Sequence, residues 1–393
     1  MFEGLLLSLV QLPFLPVTLF LAARDLIYTP AGVSLTMRVV LLNMRLRFAK
    51  HIRHLSAMQP LVNRINAKYS TEYCNAIPKP PKSVRAREIK LAAPAWSSTL
   101  AASPHAWKWF LIEPVRAFPS KRPFILYSHG GSFVKTIDPL HFKFLYEICE
   151  RTGAVILMHD YPRPPASASH EETYDVLTEL IETLVAKPDT LNASSLAADE
   201  EHVLKAFQSR TKLVFMGDSA GGTISLALCL ELLNRGLNDG LPEEAILISP
   251  ALDGRLLDAE VHDWKDPWLS IRPCHTVCAA WAGPNRPITH YLISPALASE
   301  DLLRALLRSK TRITNFKGTA DILLPGSLLF HERIEKVVSD GLGEKQGGGA
   351  FFLDERVRFV KGVGMPHVWP LIPIPTPEVR DARRAIVATI NSD

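Results

Sequence analysis

Leu213-Val214-Phe215-Met216-Gly217-Asp218-Ser219-Ala220-Gly221-Gly222 runs directly into Thr223-Ile224-Ser225-Leu226-Ala227-Leu228. An apolar run of strand length ends in a glycine, a serine sits among small residues, and an apolar pattern of helical character follows. A G-x-S-x-G pentapeptide needs this strand–turn–helix context if its serine is to stand on a sharp, strained turn. The reason is steric. The hydroxyl then projects from the end of a sheet, and the turn closes only if Gly217, Ala220 and Gly221 carry little or no side chain. Standing alone, the pentapeptide is also compatible with a plain strand-to-helix turn and an idle serine. The rest of the chain decides between them.

Working outward, short apolar runs predict strands at about Arg85–Ala92, Trp107–Glu113, Phe124–Ser128, Ala154–His159, Lys212–Met216, Ala245–Ser249, Arg312–Phe316 and Arg356–Lys361. Helical periodicity falls between most of the later ones, at Pro139–Arg151, Glu171–Ala186, Ser219–Leu233, Asp301–Arg308 and Leu328–Val338. Strands alternating with helices predict an α/β fold, an eight-stranded and mostly parallel sheet with helices on both faces. Such sheets carry their sites at the carboxyl ends of the strands.

Three further loops follow strand ends and carry chemistry. His129-Gly130-Gly131-Ser132-Phe133 follows the Phe124–Ser128 strand, and adjacent glycines let backbone N–H groups turn into a cleft where a developing oxyanion could be held. Gly318-Thr319-Ala320-Asp321 follows Arg312–Phe316. Gly362-Val363-Gly364-Met365-Pro366-His367 follows Arg356–Lys361. The chain order is therefore serine, aspartate, histidine, the order of a nucleophile, an orienting acid and a base.

Composition bounds the rest. The 393 residues are 47% hydrophobic and carry a formal net charge of +4. The basic excess is local, since Arg24 to Lys68 holds eight Lys or Arg against one Asp. No recognisable nucleic-acid module accompanies that run, so nucleic acid is not an expected partner, and a flank beside an anionic membrane suits it better. Gly4–Ala23 is an uncharged stretch of 20 residues, about 30 Å if helical, enough to cross a bilayer core. Pro13 and Pro16 would kink it, which favours an interfacial or re-entrant insertion. The alternatives are a helix buried under the main domain, which would make the protein cytoplasmic, and a cleaved signal, which the lack of preceding Lys or Arg argues against. Leu35–Lys68 reads as amphipathic basic helices broken at Pro60, and Tyr69–Ser83 as a linker. Five cysteines without a C-x-x-C pair indicate neither a disulfide framework nor a zinc site; Cys274 and Cys278, four apart, read as two packed thiols. Asn192-Ala193-Ser194 is a glycosylation sequon, and Gly347-Gly348-Gly349 a flexible loop.

The chain resembles the hormone-sensitive-lipase-like branch of the α/β-hydrolases. The residues that carry the resemblance are His129-Gly130-Gly131-Ser132-Phe133, Asp160-Tyr161-Pro162, Gly217-Asp218-Ser219-Ala220-Gly221-Gly222, Ser249-Pro250, Asp266-Pro267-Trp268, Asp321 and Met365-Pro366-His367-Val368-Trp369. The match runs from Val84 to the C-terminus. An apolar anchor before such a domain is also similar to the fungal steryl acetyl hydrolases, which implies association with the endoplasmic-reticulum membrane. The resemblance implies Ser219 as nucleophile, His367 as base and Asp321 as its partner. It implies an oxyanion hole of Gly130, Gly131, Ser132 and Ala220, with the N–H groups of Gly131, Ser132 and Ala220 as donors and Gly130 shaping the turn, and Asp218 supporting the elbow. It implies no metal or organic cofactor and a small-molecule ester as the partner. Residues 1–30 are expected to associate with membrane and 31–83 to form cap helices and linker. Residues 84–393 would form the catalytic domain, with a cap insertion at about 251–294 rich in Trp264, Trp268 and Trp281. An apolar, aromatic cap suits a lipophilic ester such as an acetylated sterol, terpenoid or polyketide, although the tryptophans could equally serve packing alone. An acyltransferase would use the same residues, and a receptor-like member would bind without turnover. Two departures stand out. Ser132 replaces the third glycine of H-G-G-G, and Pro162-Arg163-Pro164-Pro165-Ala166 lacks the acidic residue common after D-Y-[RP]-L-A-P.

Overall fold

Alternation of apolar side chains along each strand builds two cores, one on either face of a sheet. In the strand Arg122–Ser128, Phe124 and Leu126 enter one buried cluster, and Ile125 and Tyr127 enter the other. The strand Arg210–Asp218 divides Leu213 and Phe215 from Val214 and Met216 in the same way. Both faces are apolar because successive side chains point to opposite sides of a pleated strand and helices cover both. A computed structural model of the chain describes residues 20, 29–48, 77–91, 97–103, 107–115, 121–164, 170–186, 197–263, 265–340 and 356–392.

The sheet has eight strands: β1 (Val84–Ile89), β2 (Lys108–Pro114), β3 (Arg122–Ser128), β4 (Val155–Asp160), β5 (Arg210–Asp218), β6 (Glu244–Ile248), β7 (Arg312–Gly318) and β8 (Val357–Gly362). Their order is β1-β2-β4-β3-β5-β6-β7-β8. β1 and β2 run antiparallel to their neighbours, and the other five pairings are parallel. All eight expected strands are present, with β5 central. Helices Pro139–Thr152 and Pro377–Asn391 cover one face; His170–Ala186, Ala198–Gln208, Ala220–Asn234 and Leu324–Ser339 supply the other cluster.

Several helix boundaries and helices differ from the sequence reading. The expected Leu328–Val338 helix begins at Leu324, since Pro325 fits the first turn, where its missing N–H costs nothing. Ala198–Gln208, Ile271–Ala282 and Pro377–Asn391 were not anticipated. The first buries few apolar side chains among its charges, which leaves little periodicity to detect. The last is capped by Thr376, whose side chain accepts the Val379 N–H, with Pro377 at its start; that is a start signal readable in sequence.

Leu35–Phe48 is helical as expected, but its apolar residues are not confined to one face. Met37 and Val40 are buried beside the cluster that holds Trp369 and Ile372, whereas Leu35 and Val39 are exposed. Burying the first two contributes roughly 1.5–3 kcal/mol each. Ser34 fixes the entry to the helix, donating its N–H and hydroxyl to the Glu378 carboxylate at 2.6 and 2.8 Å. Cys274 and Cys278 are both buried. Among the described residues no helix is long and apolar enough to cross a membrane. The Gly4–Ala23 run apart from Phe20, the basic segment beyond Phe48, Trp264, the Asn192 sequon and the Gly347–Gly349 loop lie outside the described residues.

Candidate active site

β5 ends at Asp218, and Ser219 follows with φ 52° and ψ −120°, a left-handed conformation that side chains other than glycine rarely adopt. Its N–H donates to the Ile248 carbonyl at 2.8 Å and its own carbonyl accepts the Thr223 N–H at 3.2 Å. These bonds tie the strained residue to β6 and to the helix Ala220–Asn234. Gly217 and Gly221 face each other across the turn. A Cβ on Gly217 would collide with the Gly221 carbonyl, and one on Gly221 with the Ser128 carbonyl. The small residues are therefore a packing requirement of the elbow.

The loops after β7 and β8 bring Asp321 and His367 to this serine. His367 Nε2 lies 2.9 Å from Ser219 Oγ, and His367 Nδ1 lies 3.0 and 3.1 Å from the two carboxylate oxygens of Asp321. All three side chains are buried. Burial alone would pull the imidazole down. The Asp321 carboxylate, with a smaller contribution from Asp266, raises its pKa above the ordinary histidine value. The histidine loop is anchored from β6, since Ser249 Oγ accepts the Val368 N–H at 3.0 Å.

Asp266 is a neighbour of this group that spacing in the sequence does not reveal. It is fully buried, accepts the N–H groups of Trp268 and Leu269 on Oδ1 and that of Ile322 on Oδ2, and so braces the residue after Asp321. Burial first, and the Asp321 charge second, raise its pKa. Asp253, by contrast, is paired with Arg255 at 2.9 Å, and Asp263 accepts the Ile271 N–H. The Trp268 indole meets the His367 ring edge-to-face at 5.9 Å.

The third loop follows β3. Gly130 donates its N–H to Asp218 Oδ1 at 2.9 Å, so it shapes the loop and is not free to hold an anion. Gly131, Ser132 and Phe133 follow at φ 125°, 56° and 60°. The Gly131 carbonyl accepts the N–H groups of Val134 and Lys135, closing a tight turn. The N–H groups of Gly131, Ser132 and Ala220 have no acceptor among the described residues, and Ala220 opens a helix, where the first N–H groups are unsatisfied by geometry. Asp218 is buried, and burial opposes its charge. His141 Nε2 at 3.4 Å, the Tyr127 hydroxyl at 2.6 Å and the Gly130 N–H outweigh that and hold its pKa below the usual carboxylate value. Burial also pulls His141 down, and Asp218 more than reverses this.

The Asp160-Tyr161-Pro162 segment is held by neighbours of its own, while Pro165 and Ala166 lie outside the described residues. Asp160 pairs with Arg163 and accepts the Thr136 hydroxyl, His129 Nε2 lies 3.2 Å from it, and Tyr161 stacks on the His129 ring at 4.5 Å. No group of His, Cys, Asp and Glu side chains among the described residues is arranged to hold a metal ion.

A family model for the alpha/beta hydrolase fold matches residues 125–340. Among solved structures, a hormone-sensitive lipase from a metagenome library is similar at 17% identity and a TM-score of 0.62, covering 90% of this chain and 96% of its own. Carboxyl esterase 2 from the mycorrhizal fungus Tuber melanosporum is similar at 19% identity and a TM-score of 0.60, with 81% and 89% covered. An esterase/lipase from an uncultured bacterium is similar at 18% identity and a TM-score of 0.56, with 96% of each chain covered. No curated protein matches this chain closely enough to count as a relative. The family model covers more than half of the chain, and the chain belongs to the alpha/beta hydrolase fold family, as the resemblance of its motifs to the hormone-sensitive-lipase-like branch implied.

Proposed function

We propose that the protein is a serine carboxylic-ester hydrolase working through an acyl-enzyme. The observation that carries this reading is the unbroken line from Ser219 Oγ to His367 Nε2 at 2.9 Å and from His367 Nδ1 to Asp321 at 3.0 Å. Ser219 Oγ attacks the ester carbonyl while His367 takes its proton, and His367 then returns that proton to the leaving alcohol. In deacylation His367 takes a proton from water as the water oxygen attacks the acyl carbonyl; the bond from the acyl carbon to Ser219 Oγ then breaks, His367 returns the proton to Oγ, and the carboxylic acid leaves. Asp321 selects the His367 tautomer with Nδ1 protonated and stabilises the imidazolium. Gly131, Ser132 and Ala220 supply N–H donors for the oxyanion, preorganised by the elbow and the loop after β3.

An aromatic side chain near these groups supports a lipophilic substrate such as an acetylated sterol, terpenoid or polyketide. Trp268, from the 251–294 insertion proposed as cap, lies against His367 and is only partly buried. The uncharged Gly4–Ala23 run and the basic flank after it support association with the endoplasmic-reticulum membrane through residues 1–30.

The test is a screen of 4-nitrophenyl esters of increasing acyl length with wild type and Ser219→Ala. Turnover should vanish in the variant while the fold persists, and an organophosphonate should label the peptide containing Ser219 by mass spectrometry. Full activity in the variant, or labelling elsewhere, would overturn the assignment. Product analysis with added alcohol separates hydrolysis from acyl transfer.

A further inference from the structure

The loop that offers the Gly131 and Ser132 N–H groups holds three consecutive residues at positive φ, and two of them, Ser132 and Phe133, are not glycine. Such backbone is sterically disfavoured and persists only where the surroundings over-determine it. At its start the loop is held by Asp218 through the Gly130 N–H. At Phe133 it is held by something else. The buried Phe133 ring stacks on Trp281, with centroids 4.6 Å apart and planes 14° apart.

Trp281 lies in the last turn of the helix Ile271–Ala282, within the 251–294 insertion, and is completely buried. Its carbonyl accepts from His170 Nδ1 at 2.9 Å, taking that nitrogen as the protonated one. Its ring meets Tyr161 edge-to-face at 5.7 Å, and Tyr161 stacks on His129. Among the described residues the indole Nε1 has no hydrogen-bond partner, and the ring is seated by shape and stacking. The same insertion reaches His367 through Trp268. One segment thus touches the base on one side and the oxyanion loop on the other.

We infer that Trp281 is a positioning residue: through its stack on Phe133 it holds the Ser132 N–H in its oxyanion-binding place and couples the insertion to transition-state stabilisation. This rests on the ester-hydrolase reading. The chemistry predicts a specific kinetic signature. Losing the stack lets the loop relax from its strained conformation, and the cost falls on kcat more than on KM, because the oxyanion exists only after attack. A glycine at position 132 adopts positive φ without steric penalty, so it should make the loop less dependent on Trp281.

The experiment measures kcat and KM for 4-nitrophenyl acetate in the wild type, W281F, W281L, F133L, the double variant W281L/F133L, S132G, S132G/W281L and S132G/F133L. W281F keeps a ring in the stack and should stay near wild type. W281L should lose about 100-fold in kcat, the scale of a mispositioned catalytic group, with KM near wild type. F133L removes the same stack from the other side, should reproduce the loss, and should add little to W281L in the double variant. Ser132→Gly should recover most of what W281L loses. A wild-type kcat in W281L and F133L would overturn the inference. So would an equal loss in W281F and W281L that Ser132→Gly does not relieve, since that describes packing alone. If W281L does not fold, F133L and its rescue by Ser132→Gly carry the same decision. A wild type that turns over no ester would instead overturn the hydrolase reading on which the inference stands.

Discussion

Asp218 Oδ1 accepts the Gly130 N–H at 2.9 Å, so the residue before the proposed nucleophile holds the loop that lies opposite it. The same oxygen accepts the Tyr127 hydroxyl and faces His141. Elbow and proposed oxyanion loop are thereby joined by one buried carboxylate, which ties Ser219 to the proposed donors.

Asp218→Ala should therefore affect stability and catalysis together. It removes a buried carboxylate and leaves His141, Tyr127 and Gly130 without their acceptor, which should cost about 3–5 kcal/mol in denaturant unfolding. The variant's kcat should fall while phosphonate still reaches Ser219, only more slowly. Wild-type stability would mean that the network is not held by charge.

Asp321→Asn keeps the shape of the acid but presents an amide to His367 Nδ1. The imidazole is then favoured in the wrong tautomer, with its proton on the nitrogen facing Ser219. Steady-state kinetics should show kcat lower by about three to four orders of magnitude. A loss under tenfold would point to another carboxylate, and Asp266 is the one placed beside Asp321.

The pH profile follows from His367. As the proposed general base His367 must be neutral to act, and Asp321 raises its pKa despite burial. The acid limb of kcat/KM should thus have its midpoint above the ordinary histidine value of about 6.5. Asp266→Asn removes one of the negative charges that raise His367, so the limb should move to lower pH while the triad bonds remain. A limb that stays in place would show that the Asp266 carboxylate is uncharged in the free enzyme.

Deleting residues 1–28 tests the membrane proposal while keeping the Pro30 carbonyl, which accepts the Val33 N–H at 3.0 Å and the Arg38 guanidinium at 2.8 Å. Sedimentation with anionic vesicles should be lost, hydrolysis of a water-soluble ester kept, and turnover of a vesicle-embedded ester reduced. Aggregation with loss of all activity would identify the segment as part of the core. A glycan on Asn192 in the full-length protein would place the domain in the lumen.

The sequence by itself determined the eight strands, the serine elbow and the order Ser219, Asp321, His367. These features are local: strand-length apolar runs, glycines where backbones must touch, and polar residues just past strand ends. It could not reveal which side chains meet. Asp266 lies 55 residues before Asp321 in the chain, yet it braces the Ile322 N–H. His141 sits on a helix that begins only after the oxyanion loop, yet it faces Asp218 across it. Trp281 and Phe133 are far apart in sequence and stack face to face. Such pairings depend on how the sheet's crossovers fold back on one another, and no periodicity records that. The tertiary structure also decided that the Gly130 N–H is spent on Asp218, because a glycine-rich loop has many conformations and only the surrounding residues select one.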